Sequence, residues 1–397
     1  MDLKYYLRKS KDVHGKDVLS IFPMFAALIV SPFCHKKYKT VWAVSERPAE
    51  ARDNGYHFFK YMRECHPEQS CVYVCDRRCE DYQKVRDLGA IVQPGSIEHW
   101  LLYFFSPYLI SSQKFAPNGY MITLLERLKL FKPKHVFLQH GITKDVPDFL
   151  LASHRNAAIF IAGAKPEYDF MRENFGYPEG TMQYTGFARF DALHDFSVNK
   201  NQILIMPTWR KWLRFQSEEH SDATMDLASS EYIKCWKELL CGDEFIQLMD
   251  QFQLKVLFYP HPNMRNIVDF SELVDKRVQV IDPDQQDLQE LLKSSAMLIT
   301  DYSSVFFDMV YMKKPVIFYQ FDEEQFRKYH YKQGWFDYHQ TSFGRSCSTA
   351  KEVITELQHY LDNDFSVSKE YLNEHRKVFP IYDQKNCERI YQLLADT

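Results

Sequence analysis

Short apolar runs alternate with amphipathic stretches along the first half of the chain, and this alternation predicts strands and helices in turn. Strands are predicted at residues 41–44, 71–75, 91–92, 108–111, 135–139, 158–161 and 183–185. Helices are predicted at residues 52–64, 97–105, 120–131 and 166–175. Strands that alternate with helices favour a mostly parallel, doubly wound α/β sheet.

A second series of the same kind begins near Asn199. Its strands are predicted at residues 203–206, 256–259, 278–281, 297–299 and 316–319. A helix is predicted at 231–252, a polar inserted loop at 209–230, and a mostly helical tail at 350–395 that packs back across both domains. We therefore expect an α/β protein of the GT-B type: a Rossmann-like domain at 40–199 faces another at 200–397, which includes the C-terminal helices. Ligands should gather at the carboxyl ends of the strands.

Residues 298–321 show this strand, turn, helix and strand pattern most clearly. The cap-type residues Asp301, Ser303 and Ser304 predict that a helix begins there with free amide groups. Free amides and the helix dipole favour a phosphate group at such a position. Asp308 lies about one helical turn beyond Ser304, so we expect it to reach the ribose of a nucleotide. An ordinary capped helix is the alternative interpretation.

The overall charge gives no reason to expect a nucleic acid partner, since the formal net charge is −4 at pH 7. The nine cysteines are scattered and no secretory signal precedes them, which predicts free thiols in a cytoplasmic protein. Cys71 and Cys75 fall in a predicted strand, which favours core thiols over metal ligands. Neither GxGxxG nor GxxxxGK[ST] occurs, so a nucleotide would have to be bound by another device.

Residues 1–39 combine basic residues with an apolar run at 21–33. The run is interrupted by Pro23 and Pro32 and is too short to span a bilayer. A basic and apolar segment can lie in the interface of an anionic membrane, which predicts peripheral attachment to the inner leaflet of the cell membrane. The alternative is a first helix that packs on its own domain and exposes its lysines to solvent.

Three short stretches at predicted strand ends carry candidate chemistry. His140 precedes a glycine that allows close approach, which suits a general base acting on an acceptor hydroxyl. Thr208 and Arg210 follow the first strand of the second domain, and arginine is the best bidentate partner for phosphate. His261 lies between two prolines that restrict its backbone. The structural alternatives are hydrogen-bonded core histidines and a surface arginine.

These stretches together resemble the CDP-glycerol glycerophosphotransferase family, whose members build teichoic acids and related phosphate-linked capsules. The motifs are His-Gly-Ile-Thr-Lys-Asp at 140–145, Pro-Thr-Trp-Arg at 207–210, Pro-His-Pro at 260–262 and Ile-Thr-Asp-Tyr-Ser-Ser-Val-Phe-Phe-Asp at 299–308. Residues 45–55 and 184–191 also resemble family members. The resemblance covers most of the chain, from about residue 40 to 338.

The resemblance implies a role for most of the candidate residues. His140 matches the acceptor-side base, and His261 matches the histidine that contacts the phosphates of the donor. Ser303, Ser304 and neighbouring amides match the pyrophosphate site, and Thr208 and Arg210 fall in the donor pocket. The loop that faces the acceptor contains Gly141, Thr143 and Lys144. Many members read His-Gly-Thr-Pro-Leu-Lys there, so we expect a different acceptor.

The expected reaction is transfer of glycerol phosphate from CDP-glycerol to a hydroxyl of a lipid-linked saccharide or polyol phosphate, with release of CMP. The absence of the long N-terminal extension of many polymerases favours a primase-like, single-addition enzyme. No tightly bound cofactor is expected, and Mg²⁺ is left open. The alternatives are a CDP-ribitol-dependent enzyme, a GT-B glycosyltransferase that uses a nucleotide sugar, and a non-catalytic scaffold of a capsule assembly complex.

Overall fold

A computed structural model describes residues 21–113, 133–213, 230–264 and 268–396, with a few further positions between 114 and 132. The first domain is built on a seven-stranded parallel sheet in the order β3-β2-β1-β4-β5-β7-β8. Its strands are β1 (Trp42–Ser45), β2 (Cys71–Val74), β3 (Ile91–Val92), β4 (Leu109–Ser111), β5 (His135–Phe137), β7 (Ile159–Ala162) and β8 (Met182–Tyr184).

Helices cover this sheet, and their apolar faces explain why they form. They are α1 (Ile21–Tyr38), α2 (Asn54–Cys65), α3 (Tyr82–Arg86), α4 (Ile97–Phe105) and α5 (Lys165–Asn174), with 3₁₀ turns at Asp148–Leu150 and Ala188–Ala192. In α2 the buried residues include Phe58, Phe59 and Met62, which recur at helical spacing and join the core. The helix predicted at 120–131 lies largely outside the described residues.

The second domain repeats the topology with a six-stranded parallel sheet in the order β11-β10-β9-β12-β13-β15. Its strands are β9 (Asn199–Met206), β10 (Lys255–Phe258), β11 (Gln279–Val280), β12 (Ser295–Thr300), β13 (Val316–Tyr319) and β15 (Gly344–Cys347). The central strand β12 is buried along its whole length, as expected for a sheet covered on both faces. The predicted doubly wound architecture is confirmed.

Helices also cover the second sheet. They are α6 (Glu231–Cys241), α7 (Asp243–Phe252), α8 (Leu288–Ser294), α9 (Phe306–Tyr311), α10 (Glu323–Tyr329), α11 (Ala350–Asp362), α12 (Lys369–Val378) and α13 (Asn386–Ala395), with 3₁₀ turns at Pro262–Met264 and Phe270–Glu272. The single helix predicted at 231–252 was wrong, because Gly242 adopts an extended conformation and separates α6 from α7.

Two connections join the domains, and the first of them was not predicted. Strand β6 (Asp145–Val146) follows the His140 loop and pairs antiparallel with β14 (Lys332–Gln333) of the second domain. The last helix, α13, crosses back onto α2 of the first domain. Asn386 packs against Gly186, whose φ is +79° and where an added Cβ would lie 2.0 Å from the Asn386 Oδ1 atom. The expectation that the tail packs across both domains is therefore confirmed.

Helix α1 is longer than the apolar run suggested, because it continues through Pro32 to Tyr38. It packs on α4 through a small buried set that includes Met24 and Ala27. Much of its remaining apolar surface faces solvent. Within the described part of the chain, no helix is both long enough and apolar enough to cross a membrane.

Candidate functional site

The backbone turns sharply after β5, and this turn carries His140. Gln139, the residue before it, has a φ of +57°, a left-handed conformation that costs a non-glycine residue about 1–2 kcal/mol. The buried Gln139 side chain compensates by donating to the carbonyl of Ile161 at 2.6 Å and accepting from the Thr143 hydroxyl at 2.7 Å. The turn places the His140 side chain in an exposed position at the carboxyl end of the sheet.

A buried carboxylate organises the same loop. Glu167 accepts hydrogen bonds from the backbone N–H groups of Thr143 and Gly163 and from the Gln139 side chain, at 2.5, 2.7 and 3.1 Å respectively. Burial raises the pKa of Glu167 to about 7, although these hydrogen bonds oppose the shift. Sequence reasoning missed this residue, since a glutamate in the first turn of a helix is usually explained by the helix dipole.

The amino-terminal end of α2 supports the His140 turn from the other side. Asn54 Nδ2 donates to the carbonyl of Gln139 at 2.9 Å. Glu46 accepts from the backbone N–H groups of Asp53 and Tyr56 at 2.9 and 2.7 Å, which ties the start of α2 to the end of β1. The segment at 45–55 therefore supports the turn that carries His140.

The charges around His140 favour its neutral form. Burial among protein groups lowers the pKa of His140, Arg47, Arg189 and Arg155 lower it further, and Asp53 raises it. A neutral imidazole can accept a proton at neutral pH, which general base catalysis requires.

The second domain contributes three loops at neighbouring strand ends. They follow β9, β10 and β12 and carry Thr208, His261 and the Ser303–Ser304 turn. Asp301 joins two of these loops by accepting from the backbone N–H groups of Thr208 at 2.8 Å and Tyr302 at 2.6 Å. Within the described residues, the buried Thr208 hydroxyl has no hydrogen-bond partner in the protein, which leaves it free for a ligand.

His261 is held in one tautomer. Its Nδ1 atom accepts a hydrogen bond from the backbone N–H of Asn263 at 3.1 Å, so the proton lies on Nε2. Burial and, to a smaller extent, the charge of Arg47 lower the pKa of His261 to about 4. The neutral ring can therefore donate one hydrogen bond to a phosphate oxygen.

The two domains meet at the predicted motifs. A Cβ atom added to Gly141 would lie 2.8 Å from the Ser304 hydroxyl oxygen, so only a glycine lets the His140 loop approach the Ser303–Ser304 turn this closely. The helix predicted to begin at these serines instead begins at Phe306. Ser303 and Ser304 lie in the preceding turn, where they are partly accessible.

Arg210 does not reach this cleft, which corrects the sequence prediction. Its side chain is completely buried and forms ion pairs with Asp301 at 2.8 Å and Asp322 at 2.7 Å. It also donates to the carbonyl of Thr208 at 2.8 Å. Arg210 and Asp301 therefore position the loops of the donor pocket, and neither side chain is available to bind phosphate.

Asp308 also does not have the environment expected of a residue that binds a ribose. Both of its oxygens accept hydrogen bonds from Arg189 Nη2, at 2.9 and 3.1 Å, and the pair is buried between the domains. This geometry argues against the ribose-binding role that we expected, because the carboxylate already has a charged partner from the other domain.

Two of the three acceptor-side residues are buried as well. Thr143 is held by Gln139 and Glu167, and its carbonyl accepts from Trp335 Nε1 of the second domain at 2.9 Å. Lys144 forms a buried ion pair with Asp145. Burial lowers the pKa of the Lys144 amino group. Asp145 in turn accepts from Arg327 at 2.6 Å. These residues join the domains, and Gly141 alone of the three remains at the cleft.

Comparisons with known proteins give the family of this chain. Residues 24–396 match the family described as CDP-Glycerol:Poly(glycerophosphate) glycerophosphotransferase. The chain belongs to this family. GgaB of Bacillus subtilis (strain 168), a minor teichoic acid biosynthesis protein, is 29% identical over 381 residues, which cover 94% of this chain and 41% of GgaB. A teichoic acid poly(glycerol phosphate) polymerase of the same strain is 23% identical and covers 92% of this chain and 51% of its own.

The family fold is also seen in a solved structure. The wall teichoic acid polymerase TagF superimposes with a TM-score of 0.64 at 15% sequence identity, covering 97% of this chain and 98% of the TagF chain. At this identity the likeness establishes the two-domain fold of the GT-B type. The chain spans about half the length of the curated relatives it matches.

The structure also locates the cysteines. All nine are free, and Cys71, Cys75 and Cys79 are buried, as expected of core thiols. Over the described ranges, no group of three or more histidine, cysteine or acidic side chains is arranged to hold a metal ion.

Proposed function

We propose that the chain transfers glycerol phosphate from CDP-glycerol to a hydroxyl group of an acceptor and releases CMP. The observation that carries this proposal is the contact between the His140–Gly141 loop and Ser304, which sets a neutral imidazole of one domain beside the proposed phosphate turn of the other. Membership of the family supports CDP-glycerol as the donor.

In this mechanism His140 accepts the hydroxyl proton while the acceptor oxygen attacks the β-phosphorus. The bond between that phosphorus and the bridging oxygen breaks, and CMP leaves. His261 Nε2–H, the free Thr208 hydroxyl and the amide groups of Ser303 and Ser304 stabilise charge on the phosphoryl oxygens. Positioned donors of this kind supply most of what phosphoryl transfer requires.

The first test measures CMP release from CDP-glycerol by the wild type and by His140→Ala, with donor binding measured by calorimetry. Loss of a general base should reduce kcat by about 10²- to 10⁴-fold and leave the dissociation constant of the donor unchanged. The variant His154→Ala is a matched control, because His154 is exposed in a loop of the same domain. A His140→Ala variant with wild-type turnover would remove His140 from the mechanism.

The choice of donor separates the other candidate functions. CDP-ribitol and a UDP-sugar are offered in the same assay. Preferential turnover of CDP-ribitol would identify a ribitol phosphate transferase, and turnover of the UDP-sugar a glycosyltransferase. Failure to bind any of these nucleotides would instead favour the scaffold. The acceptor is proposed to be a lipid-linked saccharide or polyol phosphate, to which the enzyme adds a single unit.

The exposed apolar surface of helix α1 bears on where the chain would encounter a lipid-linked acceptor. Phe22, Phe25, Ile29 and Phe33 recur at helical spacing with exposed fractions of 68, 55, 73 and 92%. An unpartnered apolar stripe of this size is unusual on a protein surface. The end of α1 is basic, with Lys36 and Lys37 in its last turn. We propose that the stripe inserts into the interface of an anionic membrane while the lysines contact its headgroups.

Vesicle co-sedimentation tests the membrane contact. The wild type should bind vesicles containing phosphatidylglycerol more strongly than vesicles of phosphatidylcholine alone. The double substitution Ile29→Gln and Phe33→Gln should weaken this binding, whereas Val280→Gln, at an exposed apolar residue of the second domain, should not. Equal sedimentation of the wild type and the double variant would contradict the proposal.

A further inference from the structure

Arg189 lies at the junction of the two domains. Its side chain is buried, and its guanidinium donates through Nη1 to Asp53 at 3.1 Å and through Nη2 to both oxygens of Asp308. Its backbone is held as well, because its N–H donates to Asn54 Oδ1 at 3.0 Å and its carbonyl accepts from Gln289 at 3.1 Å. Arg189 is therefore fixed by side chains of both domains.

One side of this contact leads directly to His140. Asn54, which accepts from the Arg189 backbone, also donates to the carbonyls of Leu138 and Gln139 at 3.3 and 2.9 Å. Gln139 holds the left-handed conformation that turns His140 outwards. A shift of Asn54 would therefore move the carbonyl of Gln139, the residue that precedes His140.

The other side leads to the proposed phosphate turn. Asp308 is in the first turn of the short helix α9, directly after Ser303 and Ser304. The turn in front of α9 returns to the His140 loop through the contact of Ser304 with Gly141. The contacts thus form a closed ring that passes through both domains, with Arg189 as the cation that joins its two carboxylates.

We propose that Arg189 is a positioning residue that sets the orientation of His140 and its distance from the donor phosphate at the same time. This inference rests on the proposed function. It goes beyond that function because the Arg189 side chain is buried against Asp53 and Asp308 and acts through them and through Asn54. Domain closure and orientation of the base are then one event, since the same guanidinium holds both.

The charges that face His140 predict a change in pH dependence, which is measured beside the change in kcat. They come from Asp53 at the start of α2, Arg47 after β1, Arg189 before the second domain and Arg155 before β7. Asp53 raises the pKa of His140, whereas the three arginines lower it. Removing Asp53 and removing Arg189 should therefore shift the titration of the imidazole in opposite directions.

The experiment measures kcat, donor binding and the pH dependence of kcat/KM for Arg189→Gln and Asp53→Asn in the full chain. A base that is displaced by a fraction of an ångström should lower kcat by about 10- to 100-fold while the dissociation constant of CDP-glycerol stays unchanged. The acidic limb of kcat/KM should move to higher pH in Arg189→Gln and to lower pH in Asp53→Asn. Restoration of activity by Arg189→Lys would show that the cation itself is needed.

Arg389→Gln is the matched control. Arg389 also forms a two-pronged ion pair, with Asp383, and ties α13 to the carbonyl of Thr185 in the first domain, but none of its partners belongs to the ring. Its removal should leave kcat and the pH limbs unchanged. If Arg189→Gln fails to fold, Asp53→Asn carries the test, because the Asp53 side chain is partly exposed.

Three outcomes would overturn the inference. Folded variants with wild-type kcat and unshifted pH limbs would show that Arg189 is only a structural link. Weakened donor binding with normal kcat at saturation would place Arg189 in the donor pocket instead. Limbs that move in the same direction in both variants would contradict the opposing effects of the two charges. An inactive wild type would contradict the proposed function, whereas an active wild type with unchanged variants would contradict the role of Arg189 alone.

Discussion

Two arginines of this chain are each buried between two aspartates. A comparison of them shows that the same kind of buried ion pair can serve one domain or join two. Arg210 pairs with Asp301 and Asp322. Arg189 pairs with Asp53 and Asp308. The first trio lies wholly within the second domain, whereas the second trio includes residues of both domains.

The surroundings of the two guanidinium groups differ accordingly. Arg210 is enclosed by aromatic rings, including Tyr232 and Tyr302, whose centroids lie 5.0 and 5.1 Å from its central carbon. It cannot move without opening the core of its own domain. The contacts of Arg189 with Asp308 and Gln289 last only as long as the domains stay together. The buried charge of Arg210 therefore maintains the shape of the donor pocket. The buried charge of Arg189 instead maintains the position of one domain relative to the other at the site.

The largest expected effect comes from Arg210→Met. The substitution leaves Asp301 and Asp322 buried without a countercharge, which should lower the free energy of unfolding by about 3–5 kcal/mol. Urea denaturation monitored by circular dichroism would measure this loss. Arg189→Gln should cost less stability, since the side chain of Asp53 is 26% exposed and can be rehydrated.

The control for this prediction is Arg345→Met, in the same domain as Arg210. Arg345, whose side chain is 53% exposed, pairs with Glu356 at 3.8 Å, and ion pairs that solvent reaches contribute about 0–1 kcal/mol. The comparison between the two buried arginines would fail if Arg210→Met cost no more than Arg189→Gln.

An intermediate effect is expected at the contact between the domains. In Gly141→Ala the new Cβ atom would lie 2.8 Å from the Ser304 hydroxyl oxygen, so the loop and the turn must separate slightly. We expect kcat to fall about 10-fold with little change in stability, because reactivity depends steeply on the distance between reacting groups. Steady-state kinetics and thermal unfolding would measure the two quantities separately.

The double variant Gly141→Ala with Ser304→Gly provides the check on this explanation. It removes the hydroxyl that the new methyl group would meet, so part of the lost activity should return. A double variant that is no better than Gly141→Ala would indicate that the glycine serves another purpose.

The smallest expected effect is on the pH dependence. A base must be unprotonated to act, and the pKa of His140 is lowered by burial and by nearby arginines. The acidic limb of kcat/KM should therefore lie below pH 6.5, the ordinary value for an imidazole. In Arg47→Gln a positive charge is removed, so the limb should move to higher pH. A wild-type limb above 6.5 would contradict the assignment of His140 as the base.

The candidate site was predictable in part. His140, Gly141, Thr208, His261, Ser303 and Ser304 all lie where the motifs predicted, at the carboxyl ends of parallel strands. Spacing along the chain determines which residues follow a buried strand. Because the strands are parallel, their carboxyl ends lie at the same edge of the sheet. The catalytic and binding roles of these residues stay predictions until the experiments above are done.

Three of the misplaced residues share one property. Arg210, Asp301 and Asp308 are charged side chains whose ion-pair partners are distant along the chain; Arg189 and Asp308 are separated by 119 residues. An arginine or aspartate at a strand end looks the same in sequence whether it faces a ligand or a countercharge. Only the tertiary packing, within a domain or between the two, decides which of these it meets.

The sequence by itself determined the two α/β domains, the family and the loops that carry the site, because each follows from local periodicity or from motifs that are continuous in the chain. The tertiary structure alone decided which charges were neutralised inside the protein and which residues hold the two domains together. The physical reason is that burying a charge requires a partner at close range. Distance along the chain does not specify that partner.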